Sequence, residues 1–144
     1  MAARTIFPDA GLGLTATRIL SAAGQTEPTL AGVPWTHPQL FSCGQEITEL
    51  PPGSTLLAST KNTKHAMFRV GIRTFASLAH FECDRPYVNL IMAASKDQMS
   101  AAGKTPDVIG VETDRDYPMY ARASDRITVN LATYLFPLRR KLAV

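Results

Sequence analysis

His80 and Glu82 are the residues of this chain whose types and spacing best suit catalysis. They close the segment Leu78-Ala79-His80-Phe81-Glu82, which follows two hydrophobic runs, Ala66–Val70 and Thr74–Leu78. Alternation along an extended strand puts positions 80 and 82 on one side, so both side chains can face one cleft. An imidazole there can take a proton from a nucleophile, and a carboxylate can orient the ring and stabilise its charged form. In open α/β sheets, ligands sit beyond the carboxyl ends of the strands, which is where this pair falls. The same spacing also suits a local hydrogen bond with no catalytic role. No convincing nucleophile precedes His80.

The other chemistry-bearing residues point less far. Cys83, His80 and Glu82 offer sulfur, nitrogen and oxygen donors, but in one crowded cluster without a second ligand group, so no metal site and no cofactor is expected. Cys43 and Cys83 are the only cysteines and make no disulfide framework; they pair only if the fold brings them together. Gly103-Lys104-Thr105 mimics the end of a phosphate-binding loop, yet the position five residues before Gly103 is Gln98, and a helix precedes it instead of a strand. His37 and His65 read as loop or surface residues. Trp35, in Gly32-Val33-Pro34-Trp35, reads as the anchor of a loop on the core.

The elements that must hold His80 and Glu82 belong to a single module over residues 1–144, long enough to bury a core. With 45% hydrophobic and 19% charged residues the composition is globular. The net charge of +3 is mild, and the only basic cluster, Arg139-Arg140-Lys141, suits a solvated helix end better than a nucleic-acid surface. No apolar run is long enough to span a bilayer, and the start of the chain lacks the apolar core of a signal peptide, so the expected location is cytoplasmic, away from nucleic acid and membrane.

Leu14–Leu20 alternates as a half-buried strand, and further strands are expected over Gln39–Cys43, Glu46–Leu50 and Thr55–Ser59, with a turn at Pro51-Pro52-Gly53. Ala66–Val70 and Thr74–Leu78 form a hairpin in which Gly71 supplies the positive φ of a type II′ turn. Asp84 suits an N-cap with Pro86 in the first helical turn, and Gly103 ends that helix. Val88, Ile91, Met92, Ser95 and Met99 mark its face. Val108–Val111 reads as a short strand or extended link, and a long helix follows from Tyr117 to Phe136, stopped by Pro137. Strands first and helices after suggest α+β, or part of an α/β domain.

Three blocks in order carry a family resemblance. Gln45–Ala58, QEITELPPGSTLLA, resembles a segment in which an acidic strand leads into "LP.G...LA.S". Ala66–Gly71, AMFRVG, resembles the strand before a catalytic segment, and Arg73–Glu82, RTFASLAHFE, resembles an "FG.QFHPE" block. From Ala23 to Cys83 the chain thus resembles the second half of a class I (type 1) glutamine amidotransferase domain, and Arg115–Pro137 is similar to that family's closing helix. The resemblance implies an α/β, partial flavodoxin-like fold: a mixed sheet with antiparallel hairpins followed by two helices, lacking the first βαβ units. It implies a glutaminase half-reaction through a Cys-His-Glu triad. A cysteine thiolate attacks the glutamine side-chain amide, and the released ammonia passes to an acceptor on a synthase domain or subunit. His80 matches the general base, Glu82 the group that orients it, and no cofactor or metal is needed.

The chain departs from the family pattern in its nucleophile, since nothing before His80 resembles the G-x-C-x-G elbow. Cys43, in Phe41-Ser42-Cys43-Gly44-Gln45, falls instead where relatives have a histidine in a "SHGD"-like turn near the substrate, a substrate-binding position. Phe81 replaces the usual proline, with a consequence expected for Glu82, and Leu78 replaces a glutamine. The expectation is a chain without the nucleophile-bearing half, inactive alone or serving as a non-catalytic binding or assembly module. Apolar sheet edges exposed by that loss would favour pairing with another chain or a homo-oligomer.

Overall fold

The computed structural model describes residues 2–5, 12–18, 22–101, 103 and 105–136. Its architecture turns on strand β3, Thr36–Ser42, which forms the middle of a three-stranded sheet. On one side β3 pairs with β2, Leu12–Arg18, from Leu12↔Ser42 to Arg18↔Thr36. On the other it holds β8, Ala79–His80, through Leu40↔His80 and Phe41↔Ala79. Strand β1, Ala2–Thr5, pairs with β4, Gln45–Glu49, and β5 (Ser54–Ala58), β6 (Met67–Val70) and β7 (Thr74–Ser77) make a meander. The antiparallel hairpins followed by helices are therefore present, divided among three small sheets. Every ladder among the described strands is antiparallel.

Local chemistry explains most boundaries. Pro38 lies inside β3, although the sequence suggested a strand beginning after it. A proline has no N–H for a ladder, but β8 reaches only Leu40 and Phe41, so that flank of β3 is open at Pro38. The Pro51-Pro52-Gly53 turn is closed by Ser54 N–H donating to the Pro51 carbonyl (3.2 Å), and Gly53 takes the φ of +75° that a type II turn needs at its third position. Gly71 has the expected positive φ, +61°. The hairpin differs from the expected two-residue II′ turn, however: Val70 pairs with Thr74, leaving residues 71–73 as a three-residue connection. Ala2–Thr5 and the short helix α1, Ala22–Thr26, carried no signal strong enough to be expected. Ile19, Leu20, Pro137 and the Arg139-Arg140-Lys141 cluster lie outside the described residues.

Helix α2, Arg85–Ala94, begins as its sequence suggests, with the Asp84 carboxylate accepting from Tyr87 N–H at 2.9 Å and Pro86 in the first turn. It does not run to Gly103. Ser95 closes it with an N–H bond to the Met92 carbonyl, and α3, Lys96–Ala101, follows as a separate piece. The larger correction concerns Val108–Val111, which is neither strand nor link. It lies in the first turns of α4, Pro106–Leu135, a helix of 30 residues with Pro118 in its interior. The β-branched Val108, Ile109 and Val111 favour extended backbone in isolation. Burial overrides that preference, because helical geometry places Ile109 (3% exposed) beside Val88, Met92 and Tyr120. The cue that fixes this start is Thr105-Pro106-Asp107. Thr105 caps Val108 N–H, Pro106 needs no N–H donor there, and Asp107 meets the positive end of the helix.

Two apolar clusters result. One joins Leu30, Val33, Leu57, Ala58 and Met67 to Ala123 and Ile127 of α4; the other gathers Leu40, Cys83, Val88, Met92, Ile109 and Tyr120. Trp35 belongs to neither and is 64% exposed, so it does not anchor its loop on the core. Leu30 and Val33, flanking Ala31 and Gly32, do that instead. Ile109→Ala should lower unfolding free energy by about 2–5 kcal/mol in urea denaturation, the range for truncating a packed core side chain. A change under about 1 kcal/mol would contradict its burial in a helix.

Candidate active site at the end of strand β8

The chain reaches His80 by changing sheets. After β7, Leu78 N–H donates to the Ala66 carbonyl (2.9 Å), and the Ser77 hydroxyl both donates to the Ala79 carbonyl (2.8 Å) and accepts from Ala79 N–H (3.1 Å). This stitched corner delivers Ala79 and His80 to β3. His80 Nδ1 then lies 2.7 Å from Glu82 Oε1. The replacement of proline by Phe81 does not displace Glu82. Phe81 packs against the Leu30–Ile127 cluster, and the chain bends at Glu82 with its carboxylate on the His80 ring.

Burial raises the Glu82 pKa, but the hydrogen bond and charge of His80, with the backbone N–H groups of Glu82 and Phe81, outweigh it and hold the carboxyl below its ordinary value. With side chains 41% and 61% exposed, the pair is worth little to stability; what it fixes is the orientation of the ring. A carboxylate on Nδ1 favours the proton at that nitrogen, leaving Nε2 as the lone pair directed elsewhere. Among the described residues Nε2 has no hydrogen-bond partner.

Beneath the pair lies a tyrosine of α4. Tyr120 is fully buried, and its hydroxyl donates to the carbonyls of both His80 (3.1 Å) and Cys83 (3.2 Å). Burial, with the nearby Cys83 and Glu82, pushes its pKa up to about 12, so it stays a donor. Cys83 brings its sulfur close as well: one donor atom each from His80, Glu82 and Cys83 lies within 4.8 Å of the others. It is not an activated nucleophile. Burial first, then the Glu82 charge, pushes its thiol pKa up.

Cys43 is held apart from this group. It follows β3 by one residue, three positions beyond the Leu40 that faces His80, or about 10 Å along the strand. Its thiol is half-buried, and burial pushes its pKa up as well. Both cysteines are free. His37 and His65 are not the surface residues they seemed. Each is buried, with Nδ1 against the carbonyl of Pro34 (2.8 Å) and of Ile47 (2.7 Å), respectively. Burial lowers the His37 pKa, as expected for a neutral ring serving structure.

No family model matches the chain, and no curated protein does. Solved structures do. A glutamine amidotransferase from Methylobacillus flagellatus superposes with a TM-score of 0.75 at 12% identity, covering 99% of this chain and 59% of that one. A glutamine amidotransferase from Thermotoga maritima gives 0.73 at 12% identity, covering 95% and 55%. The protein SMU.1228c gives 0.71 at 18% identity, covering 87% and 53%. The chain shares the fold of the matched part of these glutamine amidotransferase structures. The likeness is one of fold at these identities, and the chain spans a little over half the length of the structures it matches. No helix among the described residues is long and apolar enough to cross a membrane.

Two expectations follow from the geometry. In an NMR titration the Glu82 carboxyl should have its midpoint below the ordinary 4.5, and His80→Ala should move that midpoint up. By linkage, the contribution of Glu82 to stability is present above that ordinary value and fades as the pH falls through the lowered one. A midpoint unmoved by His80→Ala would mean the two groups do not interact. Tyr120→Phe should cost about 1–3 kcal/mol in urea denaturation, because it leaves two carbonyls without their donor. A loss under about 0.5 kcal/mol would show that the hydroxyl is not their essential partner.

Proposed function

We propose that this chain supplies the base and the orienting carboxylate of a glutamine-hydrolysing site, with the attacking thiolate provided by a segment or subunit bearing the Gly-x-Cys-x-Gly elbow. The observation that carries this reading is the 2.7 Å contact from His80 Nδ1 to Glu82 Oε1 at the end of a strand, with no hydrogen-bond partner for Nε2 among the described residues. In this reading Nε2 takes the thiol proton as sulfur attacks the glutamine side-chain carbon. The C–N bond breaks, ammonia leaves with that proton, and water hydrolyses the γ-glutamyl thioester. Glu82 holds the imidazolium during both halves. An amidotransferase passes its ammonia to an acceptor site, so the expected partner is a synthase domain or subunit. Cys43 is proposed to border the substrate.

Neither thiol of the chain is activated, since burial raises both pKa values, so the chain alone should release no ammonia from glutamine. Mixed with a partner carrying the elbow, it should restore hydrolysis, and His80→Ala should reduce that rate at least about 100-fold. Ammonia release that survives His80→Ala would remove the assigned role. Failure with every elbow-bearing partner would support the alternative of a non-catalytic binding or assembly module.

A further inference from the structure

The residues around Cys83 also allow a second state, one that excludes the proton transfer proposed above for as long as a metal is bound. Nitrogen from His80, oxygen from Glu82 and sulfur from Cys83 lie within 4.8 Å of one another, although sequence spacing alone gave little reason to expect a metal there. We propose that His80, Glu82 and Cys83 form a binding site for a thiophilic divalent cation, zinc by its chemistry, with the fourth position open to water.

Zinc bonded at about 2.0–2.3 Å sets tetrahedral donors roughly 3.3–3.8 Å apart. The His80–Glu82 separation of 2.7 Å must widen by roughly 0.6–1.1 Å, and the widest separations, at most 4.8 Å, must close by roughly 1.0–1.5 Å. Both adjustments fall on side chains free to make them, since His80 and Glu82 are 41% and 61% exposed. The backbone beneath is fixed already. The Tyr120 hydroxyl grips the carbonyls of His80 and Cys83, so the outer two donor residues hang from one clamp. Outer hydrogen bonds of this kind set how well ligands meet a metal. On binding, the Cys83 thiol releases its proton to solvent and its sulfur pair goes to the metal, which deprotonates a coordinating thiol outright. The His80 proton moves from Nδ1 to Nε2, which frees the Nδ1 pair for the metal and exchanges the hydrogen bond to Glu82 for metal bonds. The donor set of one thiolate, one imidazole and one carboxylate selects zinc over calcium or magnesium, which prefer oxygen alone.

The test uses the purified chain with cobalt(II) as a spectroscopic stand-in for zinc, and needs no glutaminase activity. The expected result is saturable binding of one ion with a thiolate-to-cobalt charge-transfer band, displaced by zinc. Cys43→Ser should keep the band and Cys83→Ser should abolish it. Because Cys83 is buried and its variant could misfold, His80→Gln is the second arm: it should weaken binding at least about tenfold while leaving the fold intact. Absence of the sulfur band, a band that follows Cys43, or affinity unchanged in His80→Gln would each overturn the site.

Discussion

One buried hydroxyl holds together the parts of this structure that matter for chemistry. The segment from His80 to Cys83 leaves β3, turns and enters α2, so its carbonyls lose ladder partners just where the chain dives toward the core. Tyr120 meets two of them from α4. A buried carbonyl without a donor costs more than a satisfied one gains, so this contact is decided by what its absence would leave behind. Its consequences run outward. The strand end is fixed, His80 and Glu82 are held in contact across the bend that follows it, and Asp84 is set where it can cap α2.

The candidate pair was legible because its members lie two residues apart in sequence, although a bend just past β8, and not strand alternation, closes the contact. The caps at Asp84 and Pro86 were legible for a similar reason, being local chemistry. What stayed hidden was set at long range. Val108, Ile109 and Val111 look like strand residues until the second apolar cluster claims Ile109. His37 and His65 look like surface residues until backbone carbonyls of Pro34 and Ile47 are found beside them in the interior. Trp35 has the size of a core residue, yet the neighbouring Leu30 and Val33 fill the space it might have taken. The Thr105-Pro106-Asp107 start of α4 was readable in principle, but its threonine was weighed for phosphate binding.

The same division of labour recurs on the far side of the molecule. Asn130 donates through its amide to the carbonyls of Thr29 and Ala31 (3.1 and 2.9 Å), fastening the loop that brings Leu30 and Val33 to the first cluster. Nearby, Arg69 reaches the largely buried Glu27 at 2.8 Å. Apolar contact supplies the bulk of the stabilisation, and single polar side chains fix where otherwise irregular backbone must sit.

Pro118 stands within the part of α4 that serves the second cluster, between Ile109 and Tyr120. It has no N–H to give the Asp114 carbonyl, so the helix lacks one rung there, while the Asp114 carboxylate holds Arg85, whose guanidinium lies 5.3 Å from the Tyr117 ring centroid. Ile109, Tyr117 and Tyr120 serve the cluster under the candidate site; Ala123, Ile127 and Leu131 serve the other. Close-packed interiors transmit strain along stiff elements. A missing rung between Ile109 and Tyr120 is a place where the helix can bend, so side-chain volumes in the cluster under the candidate site can change without displacing the stretch from Ala123 to Leu131.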